Sequence, residues 1–429
     1  MIPALREEFN RNYTPGKYQQ LLQSLDKACG THIGFRVSET PCFVPRSLLD
    51  LMAQDGRELV AQLVDNPEYR RASDASVPPQ YNVPKESPLP MFVQIDFGLV
   101  RSASGELEPK LVELQAFPSL YGYQPRAAHQ YVESYGLSPD LGIYLSGHDH
   151  HSYWKLMRQL IVADHDPENV ILMEIDPEQQ KTLPDFLVMQ RELGIAVVDI
   201  LSLKKRGKQL VYSKDGREIE VRRIYNRCIV DELERKGVTL PFDLRDELDV
   251  EWAGHPNWYF LISKFSVPWL CRPPGSHPVV PPAVFLDEFL AGNGRAELAA
   301  AGVPLPQESA PETVYSELLL KPLFSFAGKG IQFEPSQAQL EAIPVAGRKD
   351  FLLQQRMRFE HTIETPKGLT QAEIRILYLW PDSGNLTPAM SLVRLGRGKM
   401  MGVDHNRNQE WVGASAAFFP HAQNPESNQ

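Results

Sequence analysis

A pair of facing carboxylates constrains this chain more than any other feature of its sequence. The stretch MFVQIDFGLVRSASGELEPKLVELQAFPS, residues 91–119, reads as two strands joined by a polar turn, because apolar and aromatic runs flank Ser102-Ala103-Ser104-Gly105. Placing the turn's midpoint between Ser104 and Gly105 sets Asp96 opposite Glu113 and Gln94 opposite Gln115. Side chains alternate across a strand, so these four share one face. Facing carboxylates repel and destabilise a sheet unless something neutralises them. A hard divalent cation does so, and Mg2+ is commonly held by one or two carboxylates together with substrate phosphates. The same pattern also fits the solvated outer face of an ordinary hairpin, and a one-residue slip would part the two partners.

The rest of the chain sets outer bounds. With 429 residues, 42% of them hydrophobic, it can bury a large core and divide into two or three units. The net charge of −10, without a long basic run, argues against nucleic acid or an anionic membrane as partner. Cys29, Cys42, Cys228 and Cys271 are scattered and form no CxxC pair, which fits a reduced, cytoplasmic protein. The N-terminal MIPALREEFNRNY lacks the apolar core of a signal peptide, and no apolar run is long enough to span a bilayer.

The sequence divides as follows. Residues 1–90 read as mainly helical, with helical periodicity starting at Tyr18 and Ser47 and an extended loop over 72–90. Residues 91–150 hold the hairpin and a helix over 124–135. In 151–250, apolar runs at 170–175 and 195–200 flank a helix with Thr182 at its start and Gly194 at its end. That strand–helix–strand unit predicts a parallel, helix-covered sheet. Two further strands, 209–212 and 219–225, surround the Asp215-Gly216 turn. Residues 251–420 open on a proline-rich joint, 268–306, holding Pro273-Pro274 and one helix at 283–290. Strands follow at 318–320, 331–333, 351–354 and 374–380, and the polar tail 421–429 is expected to be disordered.

Within the last unit, Lys321 stands at the end of an apolar strand and leads into Ala327-Gly328-Lys329-Gly330. Glycines there let backbone N–H groups close on phosphate oxygens. A strand rather than a helix follows and GxxxxGK[ST] is absent, so this is not a Walker loop; a plain turn is the competing reading. Lys264 is expected to end a second apolar strand, in NWYFLISKFSVPWL. The strand from 351 brings Gln355 and Met357 to a distance that suits a hinge beside an adenine, and Glu373 and Arg375 share a strand face. Arg394, in SLVRLGRGKM, is a candidate for meeting a phosphoryl group.

In this order the elements resemble the ATP-grasp fold in its circularly permuted branch, which includes the synthetase domain of glutathionylspermidine synthetase. The acidic strand pair, which follows the lysines in most ATP-grasp enzymes, here precedes them. The resemblance implies an α/β (α+β) fold with a pre-ATP-grasp subdomain, and ATP and Mg2+ as cofactors. It implies Asp96, Glu113 and Gln115 as metal ligands, and Lys264, Lys321, Gly328, Lys329, Gly330, Gln355 and Met357 as nucleotide contacts. Arg375 and Arg394 would face the transferred phosphoryl group, and Arg227 and Asp231 the substrate side. The implied reaction is ligation of a carboxylate to an amine, on a small molecule or peptide, through an acyl phosphate. Two departures stand out: Gln115 replaces the usual Asn, and Phe326-Ala327-Gly328 lacks the Arg-Glu of the glutathionylspermidine relatives. A kinase, or a nucleotide-binding module with little turnover, would use the same fold. A metal-dependent hydrolase centred on His148-Asp149-His150-His151 would not. Asp404-His405-Asn406-Arg407-Asn408, ahead of Trp411, fits either a family phosphate contact or a polar turn.

Overall fold

The computed structural model describes residues 1–421 apart from 103, 273–275, 308–309, 326–327, 382–383, 403–405 and 407. The proline pair at 273–274, the 326–327 part of the glycine loop and the polar tail therefore lie outside the described residues.

An antiparallel sheet organises the molecule. Its strands run in the order Gly413–Ser415, Thr387–Gly396, Gly368–Leu379, Phe92–Arg101 and Leu107–Gln115, and His361–Thr365 also pairs with Gly368–Leu379. The early hairpin is thus completed by strands from the end of the chain. Near its tip the hairpin pairs Arg101 with Leu107 and Phe97 with Leu111, a register centred on Ser104. A bulge at Val112 then adds one residue to the second strand, and beyond it Asp96 does face Glu113 and Gln94 does face Gln115. The expected pairing is present, and the bulge rather than the turn count produces it.

That bulge also serves the core. Leu111 and Leu114 both bury on the apolar face with Ile95, Phe97 and Leu99, against Leu49, Met52, Leu59, Val60 and Leu63 of helix Arg46–Val64. A second cluster joins helices Pro3–Asn12 and Pro15–Cys29 to helix Tyr123–Tyr135, Leu377 and Phe418. The first ninety residues thus share their cores with the central sheet.

The predicted strand–helix–strand unit is there. Val170–Glu174 and Ala196–Asp199 pair in parallel around helix Leu183–Leu193, and Arg223–Asn226 and Glu251–Ala253 extend the sheet, also in parallel. The strand expected at 219–225 divides at Arg222. Arg217–Val221 belongs to a small antiparallel sheet and Arg223–Asn226 to the parallel one.

A fourth sheet, in the order Ala283–Phe285, Phe351–Gln355, Leu318–Pro322 and Gln332–Phe333, carries Lys321. Three local expectations change here and upstream. The helix expected at 283–290 begins as a strand and turns helical only at Leu286–Leu290, because Pro281-Pro282 hold the chain extended and Val284 and Phe285 suit a sheet. Residues 72–76 end helix Pro67–Ser76, which Asn66 caps, and are not part of the loop. Lys264 ends no strand: it lies between two short helices, Trp258–Leu261 and Ser266–Cys271. Among the described residues no helix is long and apolar enough to cross a membrane.

Candidate functional site

Strand pairing alone assembles the charged face. Arg375 pairs with Asp96, and Glu373 lies between Gly98 on one side and Arg394 on the other. Asp96 is 2% exposed, so a solvated face is ruled out for it. Arg375 donates to both of its oxygens, with Nη2 at 2.8 Å from Oδ2, and Arg394 also donates to Oδ2. Burial alone would raise the Asp96 pKa, but the two guanidinium groups outweigh it and hold the carboxyl below its ordinary value. Arg375 gives its remaining Nη1 to Gln94 Oε1 at 2.7 Å, and Gln115 Nε2 reaches the same oxygen at 3.3 Å. Arg394 is different. It is shared between Asp96 and Glu373, and among the described residues its buried Nε has no hydrogen-bond partner. Burial pushes Glu373 upward, against the pull of Arg394.

Two lysines meet this face at Glu113. Lys264 Nζ lies 2.8 Å from Glu113 Oε1 and donates to the Ser325 carbonyl. Lys321 donates to Gln354 Oε1 at 2.6 Å and to the Val112 carbonyl at 3.4 Å, which the bulge leaves within its reach. Burial lowers the Lys321 pKa to about 8, with nearby Glu113 pulling the other way. Gln354 Nε2 is buried and has no hydrogen-bond partner among the described residues.

The glycine turn sits at the edge of the sheet that carries Lys321. Gly330 has a φ of +74°, and a Cβ there would stand 2.8 Å from Pro322 Cγ, so both conformation and space require glycine. The Met400 side chain occupies the place of a Cβ on Gly328. Lys329 is exposed and acts electrostatically on Asp231. Gln355 and Met357 are half-buried on the expected hinge, but the Gln355 N–H is already bonded to the Pro282 carbonyl, and the Arg356 N–H to that of Glu317.

Oxygen donors for a cation remain on the second hairpin strand. Glu113 is 24% exposed, and Gln115 follows on the same face. Among the described residues no three His, Cys, Asp or Glu side chains are grouped to hold a metal. Glu113 and the Gln115 carbonyl fit Mg2+ only as a partial set, as an ion that keeps its waters and shares substrate phosphates requires. The histidine run is no centre either: Asp149 caps helix His150–Ile161, accepting the Ser152 N–H at 2.7 Å. Asn406 is buried and donates to the Met400 and Gly402 carbonyls at 3.1 Å, while Asp404, His405 and Arg407 lie outside the described residues.

Beyond Gln115 the hairpin runs into Phe117, whose ring lies 5.2 Å from the Arg227 guanidinium. Arg227 is buried at the end of a parallel strand, 3.9 Å from Asp185, and among the described residues its Nε and Nη1 have no hydrogen-bond partner. Burial raises the pKa of the Asp231 carboxyl, and the Tyr259 hydroxyl faces it.

Some contributors carry no sequence motif. Gln354 is one, an ordinary strand residue until its pairing is known. Arg36 and Glu39 are others. Glu39 accepts the Trp411 N–H at 2.7 Å and pairs with Arg36, which in turn donates to the Gln409 carbonyl at 3.2 Å. They anchor the segment leading into Gly413–Ser415, the edge strand beside Arg394.

No known protein family profile matches the chain. No curated protein matches it in sequence. In structure it is similar to a glutathione synthetase-like effector, GSS30, from Globodera pallida, solved in the apo form. The TM-score is 0.52 at 12% sequence identity, over 95% of this chain and 99% of the other. At that identity the likeness speaks for architecture alone: a mixed α/β protein with a distant resemblance to an ATP-grasp-like fold.

Proposed function

We propose that this chain is an ATP- and Mg2+-dependent ligase that joins a carboxylate to an amine through an acyl phosphate. One observation carries the reading. Lys264 pairs with Glu113 while Lys321, from a separate part of the chain, reaches the carbonyl of neighbouring Val112, and among the described residues the buried Lys321 ammonium hydrogen-bonds only to uncharged oxygens. A buried cation so held is costly, and a polyphosphate would offset that cost.

In this reading Lys264 and Lys321 balance phosphate charge, residues 328–330 close over it, and Gln355 and Met357 flank the base. Glu113 and Gln115 supply oxygen ligands to Mg2+. Arg394, with its free Nε, meets the phosphoryl group as the acceptor carboxylate takes it from ATP, and Arg375 stands behind it. An amine then displaces inorganic phosphate from the acyl phosphate. Such transfers depend on positioned charge more than on covalent catalysis. The likeness to a protein named glutathione synthetase-like agrees with this reading.

The test is a screen of amino acids, short peptides and polyamines, with ADP followed by a coupled assay and product by mass spectrometry. ADP is expected only when a carboxylate is present, and a joined product only when an amine is added. A phosphorylated small molecule as the final product would replace the ligase with a kinase. ATP bound without turnover across the panel would leave a binding module.

A further inference from the structure

Asp96 occupies the face where a metal is expected, yet its surroundings are cationic. Three guanidinium N–H groups from Arg375 and Arg394 converge on its two oxygens. Those three donors take up most of the lone pairs of a carboxylate that is only 2% exposed, which leaves a divalent ion little access to it. Glu113, across the strand pair, is a quarter exposed, with Lys264 on one of its oxygens. Gln115 lies two residues on, on the same face, with its amide N–H turned to Gln94. Arg394 depends on Asp96 for its placement. Its Nη2 is held between Asp96 and Glu373 while its Nε has no partner among the described residues.

We infer that Asp96 is a positioning residue that holds Arg394 toward the phosphoryl group, and that metal binding falls to Glu113 and Gln115. This rests on the ligase reading above, and it moves Asp96 from the metal side of the site to the anion side. Asp96→Asn keeps the shape and removes the charge that holds the arginines.

The experiment uses Mn2+ as the metal probe, with free Mn2+ read by electron paramagnetic resonance in the presence of a saturating non-hydrolysable ATP analogue. Asp96→Asn is expected to bind Mn2+ within about twofold of the unmodified protein, whereas Glu113→Gln weakens it at least about tenfold. In turnover, Asp96→Asn and Arg394→Lys each lower kcat by about a hundredfold, and the double variant falls no further than the worse single one. A residue that merely supports the fold would not produce that non-additivity. Should Asp96→Asn not fold, Asp96→Glu keeps the charge on a longer arm: it is expected to retain Mn2+ affinity while losing turnover. A Mn2+ defect in either Asp96 variant as large as that of Glu113→Gln makes Asp96 a ligand and overturns the assignment. Losses that multiply in the double variant overturn it too. If the unmodified protein shows neither analogue-dependent Mn2+ binding nor turnover, the ligase reading falls and takes this assignment with it. That result is visible before any variant is made.

Discussion

Lys321 donates to Gln354 Oε1 at 2.6 Å across two paired strands, a buried ammonium on an uncharged partner. Burial moves its pKa from 10.5 down to about 8. Below about pH 8 both folded and unfolded chains carry the proton, and the folded state bears the full cost of burying it. Between there and pH 10.5 only the unfolded chain binds it, so this group's contribution to stability rises with pH. Lys321→Met should therefore gain on the unmodified protein as pH falls from about 10.5 to about 8, by up to about 3 kcal/mol. Urea unfolding of both proteins along a pH series measures the difference. A difference that stays constant would mean that Lys321 is not buried as a cation.

The same lysine should govern nucleotide binding. ATP with Mg2+ is expected to raise the melting temperature, and Lys321→Ala to remove most of that rise without unfolding the protein. Affinity should weaken as pH rises through about 8, because the free protein must then take up a proton to meet the phosphate. Calorimetry in buffers of different ionisation heat would detect that uptake. A Lys321→Ala protein that responds to ATP like the unmodified one would put the nucleotide elsewhere.

For Glu113 the structure reverses the sign that the sequence gives. Two facing carboxylates alone predict that Glu113→Gln relieves repulsion. Asp96 is already neutralised by arginines, however, and Glu113 pairs with a buried Lys264. Losing the Glu113 charge leaves that lysine short of a counter-ion, so the apoprotein should lose about 1–2 kcal/mol. Denaturant unfolding without divalent ions is the check. Unchanged stability would mean that the Ser325 carbonyl suffices for Lys264.

How much of this was legible in the sequence depends on distance along the chain. The hairpin, the strand–helix–strand unit and the strand holding Lys321 declare themselves through local periodicity and turn residues. The bulge left a trace as well: Leu111 and Leu114 are an odd number apart and cannot both face a core from a regular strand. The sequence does not place Lys264, because an apolar run of that length suits a short helix as well as a strand. What the sequence could not show is which charge neutralises which. Asp96 and Arg375 are 279 residues apart, and only the pairing of the early hairpin with a late strand brings them together. The same holds for Gln354 beneath Lys321 and for Glu39 beside Trp411.

The two arginines should separate in kinetics. Arg375 has Nε, Nη1 and Nη2 committed to Asp96 and Gln94, whereas Arg394 keeps a free Nε. Lysine preserves charge but not the planar fork. Arg394→Lys should therefore lower turnover more than ATP affinity, while Arg375→Lys should chiefly lower stability. Parallel steady-state kinetics and thermal melts would decide it. A larger kcat loss in Arg375→Lys at unchanged melting temperature would exchange their roles.

The N-terminal segment grips the stretch that leads into the strand beside Arg394. Arg36 and Glu39 hold the backbone at Gln409 and Trp411, and Ala414 N–H donates to the Arg36 carbonyl at 2.8 Å. Gly413, at a φ of +118°, packs so tightly on Arg36 that a Cβ has no room. The strand this fixes pairs Ala414 with Arg394 itself. Glu39→Gln keeps the shape of the brace and removes the ion pair with Arg36, so local opening should become easier than global unfolding. Amide exchange over 409–415 is expected to quicken, and trypsin to cut sooner at Arg397 and Lys399 in the preceding loop. Turnover should fall with it, and ATP affinity much less, because Lys264 lies between two helices and Lys321 on a strand of another sheet. Faster exchange throughout the chain would mark Glu39 as a general stabiliser. Unchanged exchange at 409–415 would mean that the strand pairing with Val393, Arg394 and Leu395 holds the edge unaided.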